Sequence, residues 1–86
     1  MNINELIAIV KKKLHTQILI ENLKIEDKTF LHKNHKGSQD GKFHLKIFIE
    51  SKELKQMNKI ESNKKIYKIL DTEIKKFIHS LQLLIS

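Results

Sequence analysis

The chain has 86 residues and a net charge of +7, with no Cys, and all 17 of its basic residues are Lys. That length supports one domain, 1–86, without room for a second core, and the lack of Cys excludes disulfides, thiol catalysis and thiolate metal ligands. The positive charge suits contact with nucleic acid, but bidentate readout of guanine or of paired phosphate oxygens is mainly Arg chemistry, so sequence-specific recognition of DNA is poorly equipped.

Asn2 followed by Glu5 has the spacing of a helix-capping pair, and Ile3, Leu6, Ile7, Val10 and Leu14 then recur at helical intervals. This predicts an amphipathic helix over 3–15, with Lys11 to Lys13 near its C-terminal end, where the macrodipole favours cations. Over 20–28, Leu23 and Ile25 alternate with Lys24 and Glu26, which suggests a first strand. The next stretch, "LHKNHKGSQDGK" over 31–42, holds two His and both Gly and no apolar residue after Leu31. Connections of that length are uncommon in small domains. It reads as a slack hairpin, a phosphate cradle or a place where histidines meet a metal.

The clearest strand is 43–50, with Phe43, Leu45, Ile47 and Ile49 on the face towards the helices and His44, Lys46, Phe48 and Glu50 on the other. The two strands are expected to be antiparallel neighbours. Over 53–76 the period changes, and Leu54, Met57, Ile60, Tyr67, Leu70, Ile74 and Phe77 can share one helical stripe. This is one long helix or two short ones, with no Gly or Pro to mark a break. A third strand is expected over 79–85, carrying Leu81, Leu83 and Ile85 in alternation. The order α, β, β, one or two α, β defines an α+β domain: a small sheet with helices on one face.

The chain lacks the parts of a familiar catalytic site. Gly37 and Gly41 are too isolated for a phosphate-binding loop, no carboxylate pair stands on a convincing scaffold, and a Ser-His pair built from Ser38 within one loop is weak evidence for a site, so no enzymatic activity is expected. No segment approaches the ~20 apolar residues of a membrane span, and the N-terminus lacks the pattern of a signal peptide. A soluble, intracellular protein, cytoplasmic or organellar and not secreted, is the expectation. The histidines at 15, 32, 35, 44 and 79 remain. Histidine is the commonest metal ligand, although a solitary one more often serves packing or lies on the surface.

Taken together, "LKIEDKT", "HKGSQDGKFHLKIFIES", "KKIYKIL" and "IHSLQL" resemble, in order and spacing, the segments of the BolA family over nearly the whole chain. The resemblance implies an αββααβ, class II KH-like fold with a three-stranded sheet. It also implies partnership with a monothiol glutaredoxin in binding and trafficking a [2Fe-2S] cluster, and bacterial members are linked to transcriptional control. In such complexes the glutaredoxin cysteine and glutathione ligate one part of the cluster and the BolA-like protein the rest, through a loop residue and the His opening the last strand. Those positions match His35, with His32 close enough to substitute, and His79. His44 matches a strand His that is structural, and His15 matches nothing. Imidazole in place of thiolate raises a cluster's potential and makes ligation depend on pH.

The family's basic "R-H-R-x-V-Y"-like helix signature is here Ser62, Asn63, Lys64, Lys65, Ile66 and Tyr67, while a Gly expected after the second strand is Gln56 and the aromatic before it is Leu54. These departures bear on partner or DNA contact through that helix and leave the ligand positions untouched. Two function classes follow. One is a cluster-handling adaptor, monomeric when alone. The other is a KH-like nucleic-acid or regulatory module using Lys55, Lys59, Lys64, Lys65 and Lys68, with weak binding because the G-x-x-G clamp and stacking aromatics are missing.

Overall fold

The structure is a computed structural model that describes residues 1–29 and 42–86. Its elements are α1 (Ile3–Gln17), β1 (Asn22–Asp27), β2 (Phe43–Glu50), α2 (Lys52–Lys55), α3 (Lys59–Ile69), α4 (Asp71–Lys76) and β3 (Ile78–Ile85). The expected α+β order is present, with the second helical stretch in three pieces.

Helix α1 starts where Asn2 Oδ1 accepts the Glu5 N–H at 2.8 Å and Asn2 Nδ2 donates to the Glu5 carboxylate at 2.9 Å. Its apolar stripe buries Leu6, Val10 and Leu14. The three strands form one sheet in the order β1-β2-β3. Strand β2 runs antiparallel to β1, setting Leu23 opposite Ile49 and Ile25 opposite Ile47. It runs parallel to β3, setting Leu45, Ile47 and Ile49 opposite Leu81, Leu83 and Ile85. A parallel neighbour needs a long crossover, and α2 to α4 supply it. Leu45, Ile47 and Ile49 are at most 2 % exposed and join Leu6, Val10, Leu14, Leu54, Ile66 and Leu70 in one core.

The single stripe expected along 53–76 is broken. Ile60 and Tyr67 are 68 % and 42 % exposed, whereas Leu54, Ile66 and Leu70 are buried. The reason is that the helix restarts. Ser51 Oγ caps α2 by accepting the Leu54 N–H, and Asn58 Oδ1 caps α3 by accepting the Glu61 N–H. Each restart resets the helical phase, so residues in register across the breaks do not share a face. A third helix follows directly at Leu70. One ion pair joins two of the pieces, Lys65 of α3 to Glu53 of α2 at 3.0 Å, and another ties α4 to α1, the nearly buried Glu73 to Lys13 at 2.8 Å.

Strand β3 begins with an irregularity. Phe43 pairs with Ile78, but His44 pairs with Ser80, so His79 is one extra residue in the ladder, a β-bulge. The alternation of Leu81, Leu83 and Ile85 therefore does not extend back to His79. Ile78 is buried, His79 and Ser80 are both exposed, and strict alternation resumes from Leu81 to Ile85.

Candidate functional site

The bulge sets both His79 and Ser80 beside His44. In a plain ladder His79 and Ser80 would take opposite faces; with one residue added, both lie on the face away from the helices, next to outward-facing His44. The His44 and His79 rings are 4.9 Å apart at 62°. Ser80 Oγ lies 2.5 Å from His44 Nδ1.

His44 is 6 % exposed. A buried imidazole needs hydrogen-bond partners, and Ser80 Oγ meets the His44 ring, while the His44 backbone is held from the β1 side. The His44 backbone N–H donates to Thr29 Oγ1 at 3.1 Å. Asp27 Oδ1 accepts the Thr29 N–H at 2.9 Å and also the Thr29 hydroxyl proton. A line of contacts thus runs from Asp27 in β1 through Thr29 and His44 to Ser80 in β3. It anchors His44 as a structural residue and leaves His79, beside it, open to solvent. Thr29 and Ser80 were not singled out by sequence reasoning. The signals were the Asp-x-Thr spacing that closes a turn on itself and the Ser beside His79.

Of the three proposed ligands, the described residues include His79 alone; His32 and His35 lie outside them, as do Gly37, Ser38 and Gly41. His15 is exposed on the last turn of α1, away from this site. Among the described residues no group of three His, Cys, Asp or Glu side chains could hold a metal ion. A cluster shared between two proteins asks less of each partner, and an exposed imidazole on a rigid sheet fits that donor role.

The other feature is charge. Eleven of the 17 Lys lie in the four helices against five carboxylates, so the helical layer holds +6 of the net +7. Lys65 is committed to Glu53: its ammonium hydrogen bond, with the Leu19 N–H, holds the Glu53 carboxyl below its ordinary value. Ser62 is buried, and Asn63 donates its amide to the Lys59 carbonyl at 2.7 Å. Lys55, Lys59 and Lys64 enter no ion pair among the described residues. Gln56, where a Gly was expected, has φ of −75°, a conformation open to any residue. No described helix is long and apolar enough to cross a membrane.

A three-stranded sheet with one antiparallel and one parallel pairing, helices on one face and a His at the opening of the last strand defines a small KH-like α+β domain of the BolA type. Residues 14–86 match the family described as BolA-like protein, and the chain belongs to that family. It is 31% identical over 75 residues to the DNA-binding transcriptional regulator BolA of Haemophilus influenzae, covering 87% of this chain and 70% of that one. Among solved structures, the BolA domain of SufE1 from Arabidopsis thaliana superposes with a TM-score of 0.77 at 23% identity, over 92% of this chain and 87% of that one. BolA1 from Arabidopsis thaliana gives 0.76 at 24% identity, over 91% and 86%. At these identities the structural matches establish the fold.

Proposed function

We propose that this BolA-like protein is an adaptor that binds a monothiol glutaredoxin and co-ligates a [2Fe-2S] cluster during its assembly or trafficking. The observation that carries the proposal is the exposed His79 imidazole on a β-bulge, backed by buried His44. In this reading the cluster is cargo. His79 offers one imidazole nitrogen to it, His35 or its neighbour His32 offers a second, and the glutaredoxin cysteine with glutathione completes the set. His44 carries no ligand role: it fixes the surface on which His79 stands. Only neutral imidazole binds iron, so acid should weaken the assembly. No catalytic step is assigned to the chain.

The test is to mix the purified chain with a cluster-loaded monothiol glutaredoxin and record visible absorption and circular dichroism. New dichroic bands that need both proteins support the reading. A spectrum equal to that of the glutaredoxin alone overturns it.

A second reading, a nucleic-acid-binding regulator, is favoured by the unpaired Lys55, Lys59 and Lys64 and by the name of the Haemophilus influenzae relative. Its contacts would be Lys to phosphate, without base readout. A complex that discriminates one duplex from another at physiological salt would put this reading first.

A further inference from the structure

From Phe77 to Ser86 the chain carries no charged residue, although 31% of all its residues are charged. That segment contains β3, which pairs with β2 on one side and forms an edge of the sheet on the other. The Ser86 N–H donates to Ile49 O at 2.8 Å, and Ser86 O accepts the Ser51 N–H at 3.0 Å, so Ser86 turns both backbone groups towards β2 and its extension. Successive residues of a strand turn these groups to opposite sides. Leu81, Leu83 and Ile85 therefore turn theirs outward. The Leu81 carbonyl is met by the Tyr67 hydroxyl at 3.3 Å. Among the described residues nothing meets the outward groups of Leu83 and Ile85.

Native edge strands are normally blunted by Lys, Pro or a bulge. Here the bulge lies at the other end, roughly 20 Å from Ile85 at the usual rise of a strand. Beside the open half lies a groove of about 370 Å³ between β3 and the α2–α3 pair, with Leu54, Met57, Leu83 and Ile85 among its lining and Lys55 and Lys59 alongside them. The surface continues along α3 through exposed Ile60 and Tyr67 and unpaired Lys64.

We propose that the Leu83–Ile85 edge of β3 receives an extended acidic peptide segment, which adds a fourth strand to the sheet. Its backbone pairs with Leu83 and Ile85, alternate apolar side chains enter the groove, and its carboxylates meet Lys55, Lys59 and Lys64. The charge selects this occupant. A second copy of the chain would bring its own lysines against the same three, and such like-charge contact opposes docking. A nucleic-acid strand lacks the alternating amide donors and carbonyl acceptors that match a sheet edge. The inference does not depend on the cluster reading, because His79 stands at the opposite end of β3.

The probe is a nine-residue peptide with a Val-Thr-Val-Thr-Val centre and two Glu at each end, titrated into the ¹⁵N-labelled chain. A matched peptide with Lys in place of Glu is the control. The expected result is a downfield shift and slowed hydrogen exchange at the Leu83 and Ile85 amides with the acidic peptide, and no response to the basic one. Combining Lys55→Glu with Lys59→Glu should weaken binding by about tenfold or more. These are surface changes, and Glu at the first turn of α3 suits the helix dipole, so a native spectrum is expected of the variant. Unmoved Leu83 and Ile85 amides, or equal binding of the basic peptide, overturn the proposal. So does a concentration-dependent dimer that protects the same two amides without peptide, or a preference of those amides for oligothymidylate.

Discussion

Ser80 Oγ stands 2.5 Å from Nδ1 of His44, because the register of β2 and β3 sets the two residues opposite each other on the outer face. Ser80→Ala removes this partner from an imidazole that is 6 % exposed. A hydrogen bond of this kind contributes about 0.5–1.5 kcal/mol. Urea unfolding should show a loss in that range with an unchanged slope. Thr29→Val, which breaks the same line at its other end, should act in the same direction.

His79→Ala should abolish the cluster-dependent visible dichroism obtained with a monothiol glutaredoxin, because no described residue can replace it. His35→Ala should be milder, with His32 compensating in part, and loss of both should resemble loss of His79. All three variants should retain the fold and the cluster-free complex. A wild-type spectrum and cluster lifetime from His79→Ala would refute the ligand assignment.

The helical restarts can be tested by paired truncations. Leu54→Ala, in α2, removes a buried side chain of the expected stripe and should cost about 2–5 kcal/mol. Ile60→Ala, on the same expected stripe but across the restart in α3, is 68 % exposed and should change stability by no more than about 0.5 kcal/mol. Similar losses from the two would restore the single stripe and disprove the break in phase.

Glu53 sets a pH dependence of stability. Its folded-state value is held below the ordinary one, first by the hydrogen bond from Lys65 and then by the Leu19 N–H. A carboxylate of this kind stabilises the fold above its unfolded value, near pH 4, and the benefit is lost as pH falls through the lowered folded value. Glu53→Gln should therefore narrow its stability deficit relative to wild type as pH falls through that window. A deficit constant with pH, measured by thermal unfolding, would show that the ion pair does not shift the carboxyl.

Binding to nucleic acid should be weak and steeply dependent on salt. Lys64→Ala should lower the slope of log K against log salt by about 0.9 for duplex DNA if Lys64 meets a phosphate. Lys65→Ala should lower it less, because Lys65 is occupied by Glu53. Equal changes would argue against that distinction.

Much of the fold could be read because side-chain periodicity reports which face is buried. Leu45, Ile47 and Ile49 alternate as β2 requires, and Leu6, Val10 and Leu14 mark the inner side of α1. The break before α3 had a visible sign of a different kind. Asn58 and Glu61 repeat the spacing of Asn2 and Glu5, so a capping pair marked a boundary that was sought through Gly or Pro. The bulge had no such sign, since an extra residue in a ladder is a property of backbone pairing. For the same reason the contact between His44 and His79 could not be read before the register of β2 and β3 was known. His79 was marked as a ligand by family resemblance; its exposure and its neighbours come from the fold.

The bulge also separates what the sheet needs from what the chain carries. If His79 were deleted, Phe43 would still pair with Ile78 and His44 with Ser80, and the inward and outward sides would alternate without interruption from Ile78 to Ile85. The residue is surplus to the architecture. The ladder does not call for it, and the shortened chain should melt no earlier than the full one. A position that can be removed without loss to the scaffold is free to be kept for its imidazole, and this chain could lose that imidazole's contribution without losing its shape.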